Sequence, residues 1–141
     1  MYLPSIANAG RTNVDFRSNY LFNVKLAQLE DQEYDKVLLI GSNPRYEASI
    51  LNLRLRQTVM TTTKKNLTIN ITNIGCPINL TYPNGHEGAQ MNTLYLLAQG
   101  KNILAKNLMK AKTPICIVGT NAIQRKDGHV IKAVLNQAFD Y

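Results

Sequence analysis

Tryptophan is missing from this chain, and cysteine and histidine occur only twice each. Cys76 and Cys116 stand forty positions apart, and neither belongs to a Cys-x-x-Cys pair. That is too few for an iron–sulfur cluster or a structural zinc site. With His86 and His129 also isolated, no bound metal and no redox centre are expected, and nothing supports a disulfide. Acidic residues are few: nine, against sixteen lysines and arginines, for a formal net charge of +7. Glu30, Asp31, Glu33 and Asp35 account for four of the nine, so the remaining chain is more basic than the total suggests. Such a balance can serve nucleic acid, anionic lipid or an acidic protein. The basic residues are scattered, however, with no aromatic residues interleaved, and nucleic-acid binding is not expected. No apolar run approaches the ~18 residues of a transmembrane helix. The start, Met1-Tyr2-Leu3-Pro4, has neither a basic n-region nor a long apolar core, and only Arg11 and Arg17 fall in the first twenty residues. It reads as neither a signal peptide nor an Arg-rich presequence. Three Asn-x-Thr sequons, at Asn66, Asn70 and Asn79, are explained by the abundance of both residues.

At 141 residues there is room for one domain, which can bury roughly 70% of its unfolded surface. Residues 1–16 contain Pro4, Gly10 and several asparagines without periodicity and read as an arm; residues 17–141 read as a single α/β domain. The domain is organised around Val37-Leu38-Leu39-Ile40-Gly41-Ser42-Asn43-Pro44. Four apolar residues running into turn residues predict a strand buried on both faces. Gly41 permits a turn with φ > 0, and Pro44 suits a first helical turn. Ahead of it, Val24–Gln32 is helix-like. After it, Tyr46–Met60 favours helix, with Ala48, Leu51 and Leu55 on one face and Arg54 and Arg56 turned outward. Thr61–Asn66 reads as a polar linker. Leu67, Ile69 and Ile71 alternate with polar residues and predict a second strand. From Pro77 to Gln90 the chain reads as loop. Met91–Gln99 and Ile103–Ala111 read as two short helices. Pro114-Ile-Cys-Ile-Val-Gly119 repeats the buried strand ending in Gly. Thr120–Gly128 is its turn, and His129–Phe139 a closing helix. This order implies a small parallel sheet of about three strands with helical crossovers. Its exposed edges would need covering by another chain, and the chain is expected to be unstable alone.

The turn Gly41-Ser42-Asn43-Pro44 lies where open α/β sheets bind ligands, at the carboxyl end of a strand. It could seat a pterin or nucleotide together with Thr120–Arg125, or it could simply shape the fold. It matches neither Gly-x-Gly-x-x-Gly nor Gly-x-x-x-x-Gly-Lys-Ser/Thr. Arg45 could pair with Glu47 or reach an anion. His86 and Glu87 could in principle do acid–base chemistry, but no nucleophile lies nearby and adjacent residues seldom face each other. His129 reads as solvated, Arg125-Lys126-Asp127-Gly128 as a charged turn, and Cys116 as a small core residue. No catalytic residue is expected.

Six motifs then occur in order: Arg17-Ser-Asn-Tyr-Leu-Phe-Asn23, Asp35-Lys-Val-Leu-Leu-Ile-Gly-Ser-Asn-Pro-Arg-Tyr-Glu-Ala48, Asn52-Leu-Arg-Leu-Arg56, Ile74-Gly-Cys-Pro-Ile-Asn-Leu-Thr-Tyr82, Ala111-Lys-Thr-Pro114 and Ala122-Ile-Gln-Arg-Lys-Asp-Gly128. With His86-Glu-Gly88 between them, they resemble the large, 75-kDa iron–sulfur subunit of mitochondrial NADH:ubiquinone oxidoreductase, respiratory complex I. The resemblance runs from about residue 17 to 138 and covers part of that subunit's C-terminal region, which looks like the molybdopterin oxidoreductase fold. In the molybdenum and tungsten enzymes the Gly-x-Asn-Pro turn helps seat the pterin nucleotide. In mitochondrial complex I the region is understood to hold no such cofactor. The resemblance therefore implies that Gly41, Ser42, Asn43 and Pro44 are vestigial and that this chain binds no cofactor. FMN and the iron–sulfur clusters are expected elsewhere in the complex. Cys76 stands where the family commonly has Ser. The resemblance further implies a structural segment of the NADH-oxidising peripheral arm, on the matrix side of the inner mitochondrial membrane. Its implied partners are the N-terminal cluster-bearing part of the same subunit, made as a separate chain, and other peripheral-arm subunits.

Overall fold

A computed structural model of the chain describes residues 34–64 and 70–139. The expected arm at 1–16 and helix at 24–32 lie outside these residues, as do Leu67 and Ile69. The elements are β1 (Lys36–Ile40), α1 (Pro44–Glu47), α2 (Ser49–Lys64), β2 (Asn70–Ile74), β3 (Gly85–His86), α3 (Met91–Ala98), α4 (Ile103–Met109), β4 (Pro114–Val118), α5 (Thr120–Ile123) and α6 (Gly128–Phe139). The strands form one parallel sheet in the order β3-β2-β1-β4. In register, Val37 faces Ile71 on one side and Ile115 on the other.

β1 is central because its side chains satisfy both faces of the sheet. Val37 and Leu39 point into a core with Leu51, Leu55 and Val59 of α2, Ile71, Ile115 and Ile117. Leu38 and Ile40 point into a second core with Leu94 and Leu97 of α3, Leu104 of α4, and Ile131 and Leu135 of α6. The crossover from β1 to β2 thus lies on one face, and that from β3 back to β4 lies on the other. Right-handed crossovers running in opposite directions across a sheet require this. Strand order reverses beside β1, and the loops after β1, β2 and β4 come together at the carboxyl ends of their strands.

Several sequence expectations are corrected. Two residues of the stretch read as loop, Gly85 and His86, pair with Thr72 and Asn73 as a fourth strand. Such a short strand leaves no periodicity to read. The second strand lies at Asn70–Ile74, and its last four residues are all buried. Packing on both faces of a parallel sheet removes the alternation that the sequence suggests. The helix read from Tyr46 begins at Pro44, breaks at Ala48 and continues to Lys64, so Thr61–Lys64 is helix rather than linker. Thr61 Oγ1 donates to Gln57 O at 2.8 Å, the i−4 bond a threonine makes within a helix. The turn after β4 contains a helical turn, α5.

Asp35 ties the start of β1 to the approach of β4. Its carboxylate accepts from the Lys112 amide at 2.8 Å and from the Thr113 amide at 3.3 Å. Desolvation pushes this carboxyl up, but the Lys112 and Thr113 amides, its own amide and the Lys36 charge together hold it below the usual 3.8. A depressed folded-state value stabilises the fold above the unfolded value and stops doing so as pH falls through the folded one. Asp35→Asn should therefore lower the urea midpoint at pH 7, and the gap to wild type should close as pH drops below 3.8. A gap that stays constant into acid would show that the carboxylate is not the source.

Candidate functional site

The loops at the carboxyl ends of the strands enclose a cleft of about 400 Å³. Its walls include Gly41, Ser42 and Asn43 after β1, Gly75 and Cys76 after β2, and Asn121 and Arg125 around α5. All four residues of the predicted turn lie in one place. Gly41 has φ +57, the left-handed conformation that the sequence implies for it. Its amide donates to Ile74 O at 2.9 Å, which ties the turn to the end of β2. Pro44 opens α1 and is buried, and the amides of Tyr46 and Glu47 donate to Asn43 O at 3.0 Å each.

The loop after β4 crosses this turn closely. Gly119 N donates to Ile40 O at 2.8 Å. A Cβ built on Gly119 would overlap the Gly41 carbonyl oxygen and sit 2.8 Å from Ser42 Cα. Glycine is therefore required at 119 by the approach of another backbone.

The polar groups of the cleft are mostly engaged with one another. Ser42 Oγ donates to Glu47 Oε2 at 3.2 Å, and Asn121 Nδ2 donates to Glu47 Oε1 at 3.1 Å. An Arg45–Glu47 pair, one of the two partnerships the sequence left open for Arg45, does not form. Arg45 instead donates to Asn79 O at 3.2 Å, and its guanidinium lies 5.8 Å from the centre of the Tyr46 ring. Residues two apart on a helical turn point in different directions, so Glu47 faces the cleft while Arg45 faces away. At the rim, Arg125 is forked onto Asp127 at 2.8 and 2.9 Å. The bond to Arg125 holds the Asp127 carboxyl below its usual range. Asn43 Oδ1 is buried with no hydrogen-bond partner among the described residues.

Beneath the cleft, Asn73 is 1% exposed. Its Nδ2 donates to Cys76 O at 2.8 Å and lies 3.5 Å from His86 Nδ1. Its backbone carbonyl accepts from the Glu87 amide. Asn73 thus holds the loop after β2 against β3, and His86 sits in this structural contact. Cys76 is exposed. Cys116 is mid-strand opposite Leu38, packed against the second core. Burial pushes its thiol up to about 12, so it stays protonated and is a poor nucleophile. Among the described residues no three His, Cys, Asp or Glu side chains gather as a metal site.

Sequence reasoning found the turn and the Thr120–Arg125 stretch that includes Asn121, but not that Asn121 meets Glu47, nor the contribution of Asn73. Glu47 had a signal, its place one turn after Asn43.

A family model for molybdopterin oxidoreductases matches residues 3–140. The NADH-ubiquinone oxidoreductase 75 kDa subunit of Reclinomonas americana is 39% identical over 129 residues, which are 92% of this chain and 18% of that protein. NADH dehydrogenase (ubiquinone) iron-sulfur protein 1, mitochondrial, of Solanum tuberosum is 32% identical over 92% of this chain and 16% of its own length. The mitochondrial NADH-ubiquinone oxidoreductase 78 kDa subunit of Candida albicans is 34% identical over 87% of this chain and 16% of its own length. The chain thus spans less than a fifth of the length of these relatives.

Proposed function

This chain belongs to the molybdopterin oxidoreductase family, and from that premise we propose that it is a non-catalytic structural segment of the NADH-oxidising arm of respiratory complex I. The observation that carries the reading is the match of 92% of the chain, at 39% identity, to a subunit named for that enzyme. In this role the chain packs against the cluster-bearing part of the subunit, on the matrix side of the inner mitochondrial membrane. It supports electron transfer from NADH to ubiquinone by holding other chains in place. Among the described residues no helix is long and apolar enough to cross a membrane. FMN and the iron–sulfur clusters belong to partner chains.

The pterin that the family's name implies fits poorly in the cleft. Two of its side-chain donors, Ser42 Oγ and Asn121 Nδ2, bond Glu47, and the charge of its lining cation, Arg125, is offset by Asp127. One observation favours a second reading, a free-standing pterin- or nucleotide-binding module: the cleft is roomy, and Asn43 Oδ1 in its wall lacks a partner among the described residues. An affinity tag on the native chain separates the two. Under the first reading it recovers an assembly that oxidises NADH, with no pterin or molybdenum bound by this chain. Recovery of the chain alone, with a stoichiometric pterin or nucleotide, would establish the second.

A further inference from the structure

The cleft has the position and size of a small-ligand site, yet its polar groups are arranged against one class of ligand. A phosphate or pyrophosphate needs converging donors or a cation. The side-chain donors that converge here are Ser42 Oγ and Asn121 Nδ2, from opposite walls. Both already point at one carboxylate, with Glu47 Oε2 on the serine and Oε1 on the asparagine. Arg125, at the rim, makes a two-point contact with Asp127, whose carboxylate offsets its charge. The buried side-chain atom left without a partner among the described residues, Asn43 Oδ1, is an acceptor and has nothing to offer an anion.

We propose that Glu47 is the residue that closes this cleft to phosphate-bearing ligands: its carboxylate occupies, from inside the chain, the donors that an incoming anion would use. Two physical effects act together. The donors are engaged, and a fixed negative charge at the mouth repels a second one, a like-charge penalty that favours one ligand class over another. What faces an incoming ligand is a carboxylate edge, which suits an uncharged or positively charged hydrogen-bond donor. The inference rests on the reading above that this segment carries no cofactor, and it names the side chain responsible.

The test uses the tagged full chain together with whatever assembles on it, so that the recovered assembly reports separately on the function proposed above. The probe is 8-azido-GDP, and labelling is read only on this chain's own cleft peptides, with excess inorganic pyrophosphate as competitor. Wild type should show no labelling that pyrophosphate removes. Glu47→Gln keeps the shape and removes the charge, and Glu47→Ala frees both donors. Each should raise competable labelling roughly tenfold or more, the change expected for losing one unfavourable charge contact. Should Glu47→Ala fail to fold, the isosteric Glu47→Gln decides the question. Competable labelling of wild type equal to that of the variants would overturn the proposal. So would variants that stay unlabelled, because removing Glu47 would then not have opened the cleft.

Discussion

Gly119→Ala is expected to lower the stability of the chain by on the order of 1–3 kcal/mol and, in the scaffold role proposed above, to reduce the amount of assembled complex. The added methyl meets backbone on the far side: the Gly41 carbonyl carbon would lie 2.7 Å away and Ser42 Cα 2.8 Å. A side chain could swing aside, but two backbones that cross at the ends of β1 and β4 move only by loosening the sheet. Gly41→Val strains the same crossing from its other member. It forces φ +57 on a β-branched residue and sets a Cβ 2.9 Å from Ala122 Cβ, a strain of the order of 1–3 kcal/mol. Because both changes disturb one contact, the double variant should cost less than the sum of the two. Against a total stability of roughly 5–15 kcal/mol, either loss is large. Urea midpoints measure it directly. Complex abundance on a native gel, set beside NADH oxidation per assembled complex, shows where it acts. Normal abundance with collapsed turnover per complex would place the crossing in the chemistry and overturn the scaffold reading.

Leu38→Ala should cost more, about 2–5 kcal/mol, the range for emptying a fully buried leucine site. Leu38 is 0% exposed, sits on the central strand and faces the core formed with α3, α4 and α6. Its neighbours belong to parallel strands whose register is held from both sides, so the sheet can relax little into the space. Leu53→Ala is the control, since Leu53 is 61% exposed on the outer side of α2. In the isolated chain it should change stability by less than about 0.5 kcal/mol. If both substitutions shift the urea midpoint equally, the assignment of inside and outside on β1 and α2 is wrong. A Leu53 effect that appears only in the assembled complex would instead mark the outer face of α2 as covered there.

The parts of the fold that could be read in advance carry their physics locally. Val37–Ile40 is an unbroken apolar run stopped by Gly41, and Pro114–Val118 is nearly so, stopped by Gly119. The first announces a strand buried on two faces without help from the rest of the chain; the second announces a strand, but at the sheet's edge only Ile115 and Ile117 are buried, so its second face is read wrongly. Leu51 and Leu55, one turn apart, choose the buried face of α2 in the same way. The parts that were misread depend on distant partners. Gly85 and His86 are a strand only because β2 offers Thr72 and Asn73 as a free edge. Arg45 lies two residues from Glu47, yet it donates to a carbonyl thirty-four residues away. Local spacing suggested an ion pair, and the helical turn aims the two side chains apart.

The sequence by itself therefore determined the class of fold, the central strand, and the turn around which a ligand site would be built, because hydrophobic runs, Gly and Pro act through their immediate neighbours. The tertiary structure alone decided what that turn faces. Only after β1 and β4 are laid side by side does Gly119 meet Gly41, and only then does Asn121 come within 3.1 Å of Glu47, seventy-four residues away. The donors that would define an anion site are contributed by segments with no sequence relation to each other. Whether they meet a ligand or an internal carboxylate is set by where the chain's crossovers bring them.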